Sequence, residues 1–201
     1  LVPVGSLCVW DTKPVMLQGT RVAGPGLDNK VGVFLALLLT SELMDRQIPG
    51  RLRFHATTQE EGVMFGAGYA GRSVSAPEED VRFAMVADAT FGSDSSQDDG
   101  TFELGKGPVL GKGPILSRLH LEYLRGLASR LGIDYTLEPL VRSTGTEADV
   151  LSVSGQGIPA VLVSIPLRYM HSPVEVVDLD DVDTCLKLIS KALQDGDLWS
   201  F

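Results

Sequence analysis

Four carboxylates and one imidazole stand where the chain's expected elements begin or end. Asp28 precedes a helical stripe, Glu60 and Glu61 close an alternating segment, Asp88 follows the apolar run 83–87, and His171 lies a short loop beyond the run 160–165. In an open α/β sheet, ligands bind beyond the carboxyl ends of the strands, so these five side chains would converge on one edge. Three or more carboxylates in one crevice repel each other, and a divalent cation cancels that field. Oxygen donors joined by an imidazole suit zinc, cobalt or manganese better than calcium. Two such ions about 3.5 to 4 Å apart, bridged by a carboxylate, would form a hydrolytic clamp. Taken singly, each residue also has a plainer reading. Asp28 would be an N-cap, Glu60-Glu61 a solvated turn favouring the next helix dipole, Asp88 a strand-end turn and His171 a loop histidine.

The elements that must position these groups follow from periodicity. Val31, Phe34, Leu35, Leu38, Leu39 and Leu43 recur at helical spacing and predict a helix of about four turns with Asp28 as its N-cap. Residues 51–57 alternate polar and apolar, predicting a strand, and further strands are expected over 83–87, 135–140 and 160–165. Helices are expected over 115–131, with a stripe of Leu116, Leu119, Tyr123, Leu124, Leu127 and Leu131, and over 180–193, with Val182, Leu186, Ile189 and Leu193. Residues 4–22 carry short apolar stretches broken by Gly5, Pro14 and Gly19, the punctuation of short strands and turns. The polar stretch 93–100 reads as an exposed loop. Strands alternating with helices predict an α/β fold, a three-layer mixed sheet flanked by helices.

Composition narrows the function. The 201 residues carry 17 Lys+Arg and 26 Asp+Glu, a net charge of −9, with no basic run, so nucleic acid is excluded as an expected partner. The longest apolar run, 31–39, is nine residues, far short of the roughly 20 that span a bilayer. The first residues resemble neither a signal peptide nor a natural start, which predicts a chain entered midway. Cys8 and Cys185 lie far apart without close cysteine neighbours and are expected to be buried thiols in a reducing cytoplasm. His55, inside the expected strand and roughly 17 Å before Glu60 at ~3.3 Å per residue, is read as structural, as is His120 on its leucine-rich helix. The stretch 105–113 is rich in glycine and lysine but fails phosphate-loop spacing, because Gly113 stands where a hydroxyl is needed. There is neither a His-Glu-x-x-His nor a Gly-x-Ser-x-Gly pattern.

Six segments in order carry a resemblance: Leu27-Asp28-Asn29-Lys30-Val31-Gly32, Thr58-Gln59-Glu60-Glu61 with Gly66-Ala67, Val86-Ala87-Asp88-Ala89-Thr90, Leu104-Gly105-Lys106-Gly107-Pro108, Gly145-Thr146-Glu147-Ala148, and Arg168-Tyr169-Met170-His171-Ser172-Pro173-Val174-Glu175. Together they resemble the M42 family of metallo-aminopeptidases, the glutamyl aminopeptidase group whose members are often labelled endoglucanases. The likeness implies two divalent ions, zinc or cobalt, with Asp28 bridging both, Asp88 on the first, Glu61 and His171 on the second, and Glu60 as general base. It implies peptide substrates cleaved at their N-terminus, and homo-oligomers when full length. Two departures accompany it. Glu60-Glu61-Gly62-Val63 stands where the family reads Glu-Glu-Val-Gly, and the family's upstream first-site histidine has no counterpart. The resemblance therefore implies that residues 1–24 are the remnant of an inserted β domain, and 25–201 a catalytic domain lacking its N-terminal portion. Such a chain is expected to leave apolar surface and a strand edge uncovered, and to behave poorly in solution alone. Two other functions stay open: a metal-free glycoside hydrolase using Glu60 and a second carboxylate, and a non-catalytic binding or assembly module.

Overall fold

The computed structural model describes residues 2–75, 79–94 and 100–201. Its elements in chain order are β1 (Val15–Met16), β2 (Arg21–Gly24), α1 (Leu27–Leu43), α2 (Glu60–Val63), α3 (Phe65–Ser73), β3 (Ala84–Ser93), β4 (Phe102–Glu103), β5 (Val109–Lys112), α4 (Arg118–Leu131), β6 (Thr136–Pro139), α5 (Ala148–Leu151), β7 (Ala160–Arg168), β8 (Glu175–Asp178), α6 (Leu179–Gln194) and a closing 3-10 turn (Gly196–Ser200). Among the described residues eight strands form one mixed sheet in the order β1-β2-β8-β7-β3-β4, with β5 joining β7 to β6. The α/β class is as expected.

The centre of the sheet is the parallel pair β3 and β7, in register from Ala84↔Ala160 to Gly92↔Arg168. Side chains alternate across a strand with period two, so each strand divides its residues between the two faces. On one face Ala89, Val161, Val163, Ile165 and Leu167 join the main core with α1, α4 and α6. On the other, Val86, Ala160 and Leu162 form a smaller core with Leu116 and Ala148. Asp88 and Ser164, two positions on from Val86 and Leu162 and directly paired in the ladder, share that second face. The α/β layering thus turns a buried aspartate toward the lesser core.

Several expectations are corrected. Residues 51–57 form no strand: none of their backbone groups joins a ladder, and a strand exists only when a neighbour accepts its hydrogen bonds. The segment is held instead by half-buried Leu52 and by Arg51 and Arg53, both paired to Glu79. The strand expected over 83–87 runs on to Ser93, so Asp88 sits mid-strand rather than at its end. Likewise 160–165 extends to Arg168, because pairing with β3 continues beyond the apolar run. Helix α4 starts at Arg118, capped by Ser117, and turns His120, Leu121, Leu124, Leu127 and Ala128 inward, leaving Leu119 exposed. Cys185 is buried as expected but Cys8 is exposed, since residues 2–14 contribute nothing to either core. Strands β5 and β8 were not expected. Of the loop expected over 93–100, Ser93 ends β3, and residues 95–99 lie outside the described residues.

The glycine-lysine stretch finds a use that is not phosphate binding. The Gly105 and Gly107 amides donate to the Asp181 carboxylate, at 2.8 and 2.7 Å, tying the β4–β5 turn to α6. Unpartnered apolar surface is present: Val33, Phe34 and Leu37 on α1, and Phe65 and Tyr69 on α3, are all exposed. Beyond its two-residue contact with β4, the outer side of β3 is an open edge among the described residues. No helix among them is long and apolar enough to cross a membrane.

Candidate metal centre

Asp28 reaches the site because α1 does not begin where the periodicity says. Asp28 (φ −76°, ψ 113°) and Asn29 (φ −112°, ψ 46°) are not helical, and the Asp28 side chain makes no capping bond. Asn29 supplies the cap, its Oδ1 accepting the Gly32 amide at 2.9 Å while its Nδ2 donates to the Ala87 carbonyl at 3.0 Å. That second bond fixes the loop against β3 one residue before Asp88. Gly32 makes the approach close: a methyl group there would lie 2.7 Å from the Ala87 carbonyl oxygen and collide with the Asn29 amide. Freed from capping, the Asp28 carboxylate points at His171.

Glu60 and Glu61 open the short helix α2 after Gln59, whose φ of 64° turns the chain sharply. His171 also lies at positive φ (63°), in the turn between β7 and β8. Its Nε2 is 3.3 Å from Asp28 Oδ2 and 3.8 Å from Glu61 Oε2, and the Phe91 ring meets it edge-on with centroids 5.8 Å apart. One donor atom from each of Asp28, Glu61 and His171 lies within 4.8 Å of the other two. A tetrahedral ion with ligand bonds near 2.0 to 2.1 Å has ligand–ligand edges of about 3.3 to 3.4 Å, and the 3.3 and 3.8 Å separations from His171 lie at or near that spacing. Asp88 stands outside this trio but lines the same cleft of about 240 Å³, with Asp28, Glu60, Glu138, Thr144, Ser164 and His171.

The electrostatics of the cleft are those of crowded negative charge. The Asp28 carboxyl is raised to about 6, by burial first and then by Glu61 and Glu175, with His171 opposing them. Asp88 is raised to about 7, by burial first, against the bond its own carboxylate accepts from the Ala89 amide, with Glu60, Asp28 and Glu147 contributing to the rise. Glu60 is raised by burial first, then by Glu61. These carboxylates hold protons unusually tightly because negative charge is crowded out of water. Among the described residues, neither lysine nor arginine lines the cleft.

Of the other groups, His120 is buried against Phe83 and Phe201 with Nδ1 at 2.6 Å from Ser117 Oγ, and is structural as expected. His55 is exposed on the extended segment. Sequence reasoning gave no role to Asn29, Glu138, Glu147, Ser164 or Glu175. Asn29, Glu147 and Glu175 fall inside the six ordered segments, a signal that could have pointed to them. Glu138 and Ser164 had none, since only the sheet brings them to the cleft.

The family is shown by comparison. The model of the M42 glutamyl aminopeptidase family matches residues 1–188. The chain belongs to that family. It is 32% identical to the lysyl aminopeptidase of Pyrococcus furiosus over 181 residues, covering 89% of this chain and 50% of that one. A putative aminopeptidase of Acetivibrio thermocellus is 30% identical, covering 89% and 53%. Among solved structures, aminopeptidase APDkam598 from Desulfurococcus kamchatkensis superposes with a TM-score of 0.76 at 28% identity, covering 92% of this chain and 52% of that one. The TET1 peptidase of Pyrococcus horikoshii, which can assemble into a tetrahedron or a large octahedral shell, gives 0.75 at 26%, covering 93% and 54%. The chain thus spans about half the length of the relatives it matches.

Proposed function

We propose that this chain carries the catalytic groups of a metal-dependent aminopeptidase that removes N-terminal residues from peptides. The observation that carries the reading is the meeting of Asp28, Glu61 and His171 around one point, beside Glu60, in a chain of the M42 family. Those three side chains would hold a zinc or cobalt ion, and Asp28 with Asp88 would contribute to a second. A divalent cation there supplies Lewis acidity, polarising the substrate carbonyl and making water a better acid.

The protein's own groups do the rest. Glu60, lifted above the ordinary glutamate range by burial and by Glu61, takes a proton from the attacking water and returns it to the leaving amine. Asn29 holds Asp28 in place through its bond to the Ala87 carbonyl. The acidic cleft favours a cationic peptide N-terminus, which is the property that separates an exopeptidase from an endopeptidase. Residues 25–201 form the catalytic part in this reading and 1–24 the β segment before it, with homo-oligomers as the working assembly.

The test is hydrolysis of aminoacyl anilides with added cobalt or zinc, with and without chelator. Metal-dependent release of aniline, lost on chelation, is the expected result. Chelator-resistant cleavage of oligosaccharides would instead indicate a glycoside hydrolase, and absence of both metal uptake and turnover a non-catalytic module.

A further inference from the structure

Glu175 is 2% exposed at the start of β8, and among the described residues no basic side chain pairs with it. Each of its carboxylate oxygens instead accepts a backbone amide from a different metal-site residue. Oε2 takes the Asp28 N–H at 2.9 Å and Oε1 the His171 N–H at 3.0 Å. We propose that Glu175 is a positioning residue, clamping the backbones of Asp28 and His171 at once and so setting the spacing of the ligands they carry. The inference rests on reading Asp28, Glu61 and His171 as a metal site.

The register of the sheet makes this clamp available. Glu175 lies opposite Gly24, so the strand that bears it is hydrogen-bonded to β2, which leads directly into the Asp28 loop. On its other side, four residues back along the chain, His171 sits in the turn that follows β7. Both His171 and Tyr169 hold φ of 63°, a region that non-glycine residues enter only when surrounding bonds compensate. The bond from the His171 amide to Glu175 is one such compensation. A carboxylate is needed for the double task. Glutamine offers one acceptor oxygen and would turn its NH₂ group toward the other backbone N–H, donor against donor. Folding alone would be served as well by an apolar residue and a satisfied loop, whereas a buried charge is costly unless it holds something in place.

The experiment is Co²⁺ binding to the whole chain after stripping with chelator, followed by calorimetry and by the visible d–d absorption of the bound ion. The unsubstituted chain is expected to bind Co²⁺. Glu175→Gln is expected to bind it about 10- to 100-fold more weakly, as losses of groups behind metal ligands do, with altered d–d bands. Val176→Ala, at a buried position beside it on β8, controls for general loosening and is expected to keep both affinity and spectrum. Should Glu175→Gln fail to fold, Glu175→Asp asks the same question: it keeps the charge but is a methylene short of spanning both amides, so it too should lose affinity. Parental affinity and spectrum in the Gln variant, or in the Asp variant if that is the one that folds, overturn the clamp, as does equal loss in Val176→Ala. If the unsubstituted chain takes up no Co²⁺, the metal reading falls and the clamp with it. Binding by that chain with no effect of substitution sinks the clamp alone.

Discussion

Asp28 is pulled two ways. Its carboxyl is largely buried beside Glu61 and Glu175, which raises its proton affinity, yet it faces an imidazole that favours the ionised form. In the proposed reading, a cation at the meeting point of Asp28, Glu61 and His171 would resolve that conflict by neutralising the crowded charge. His171→Ala removes the one nitrogen donor of the three and is expected to lower Co²⁺ affinity by at least an order of magnitude, read by calorimetry. In the proposed reaction Glu60 would have a separate task, and Glu60→Gln isolates it. The amide keeps the shape and cannot take a proton, so turnover should fall about 10²- to 10⁴-fold while metal content, measured by atomic absorption, stays at the parental level. Undiminished turnover in that variant would remove Glu60 from the proton-transfer role.

At the scale of elements, the non-helical first residues of α1 turn the Asp28 carboxylate from a capping position toward His171. Gly32 lets Asn29 lie between α1 and β3, bonded to the Ala87 carbonyl. Gly32→Ala inserts a methyl group into that contact, and overpacking of this kind costs about 1 to 3 kcal/mol. Denaturant titration should show the lower stability, and metal affinity should fall with it, because the shifted Asn29 carries Asp28 away from His171. The glycine-rich turn before β5 is a second joint of this kind. Its two amides bond the Asp181 carboxylate, and Asp181→Asn leaves one amide facing a donor, at a cost of about 1 to 3 kcal/mol in the same assay.

Across the whole molecule, raised carboxyl pKa values set a direction for the pH dependence of the metal-free protein. Asp88, near 7 in the fold against an ordinary 3.8, and Asp181, near 6, retain protons that the unfolded chain has already released. Between those limits the folded state binds more protons, so the contribution of these groups to stability falls as pH rises from about 4 to about 7. Chelated protein should therefore give a negative slope of unfolding free energy against pH in that window, made shallower by Asp88→Asn. The exposed apolar side chains Val33, Phe34 and Leu37 on one helix predict concentration-dependent self-association of this chain, measurable by light scattering and reduced by Phe34→Lys.

Much of this was legible without coordinates. Asp28, Glu60, Glu61 and His171 could be singled out because the types and order of residues that do metal chemistry are local properties of the chain, and helix α6 could be read from its apolar stripe because it packs along a single face. The expected strand over 51–57 failed for the opposite reason. Its alternation is real, but a strand is defined by a partner, and pairing is decided by elements distant in sequence. The same reason hid β8 and, with it, Glu175: four residues carry too little periodicity to announce a strand. Only the antiparallel register with β2 brings one buried carboxylate within hydrogen-bonding reach of both Asp28 and His171. Residue chemistry is written along the chain, whereas the distances at which it operates come from long-range backbone pairing.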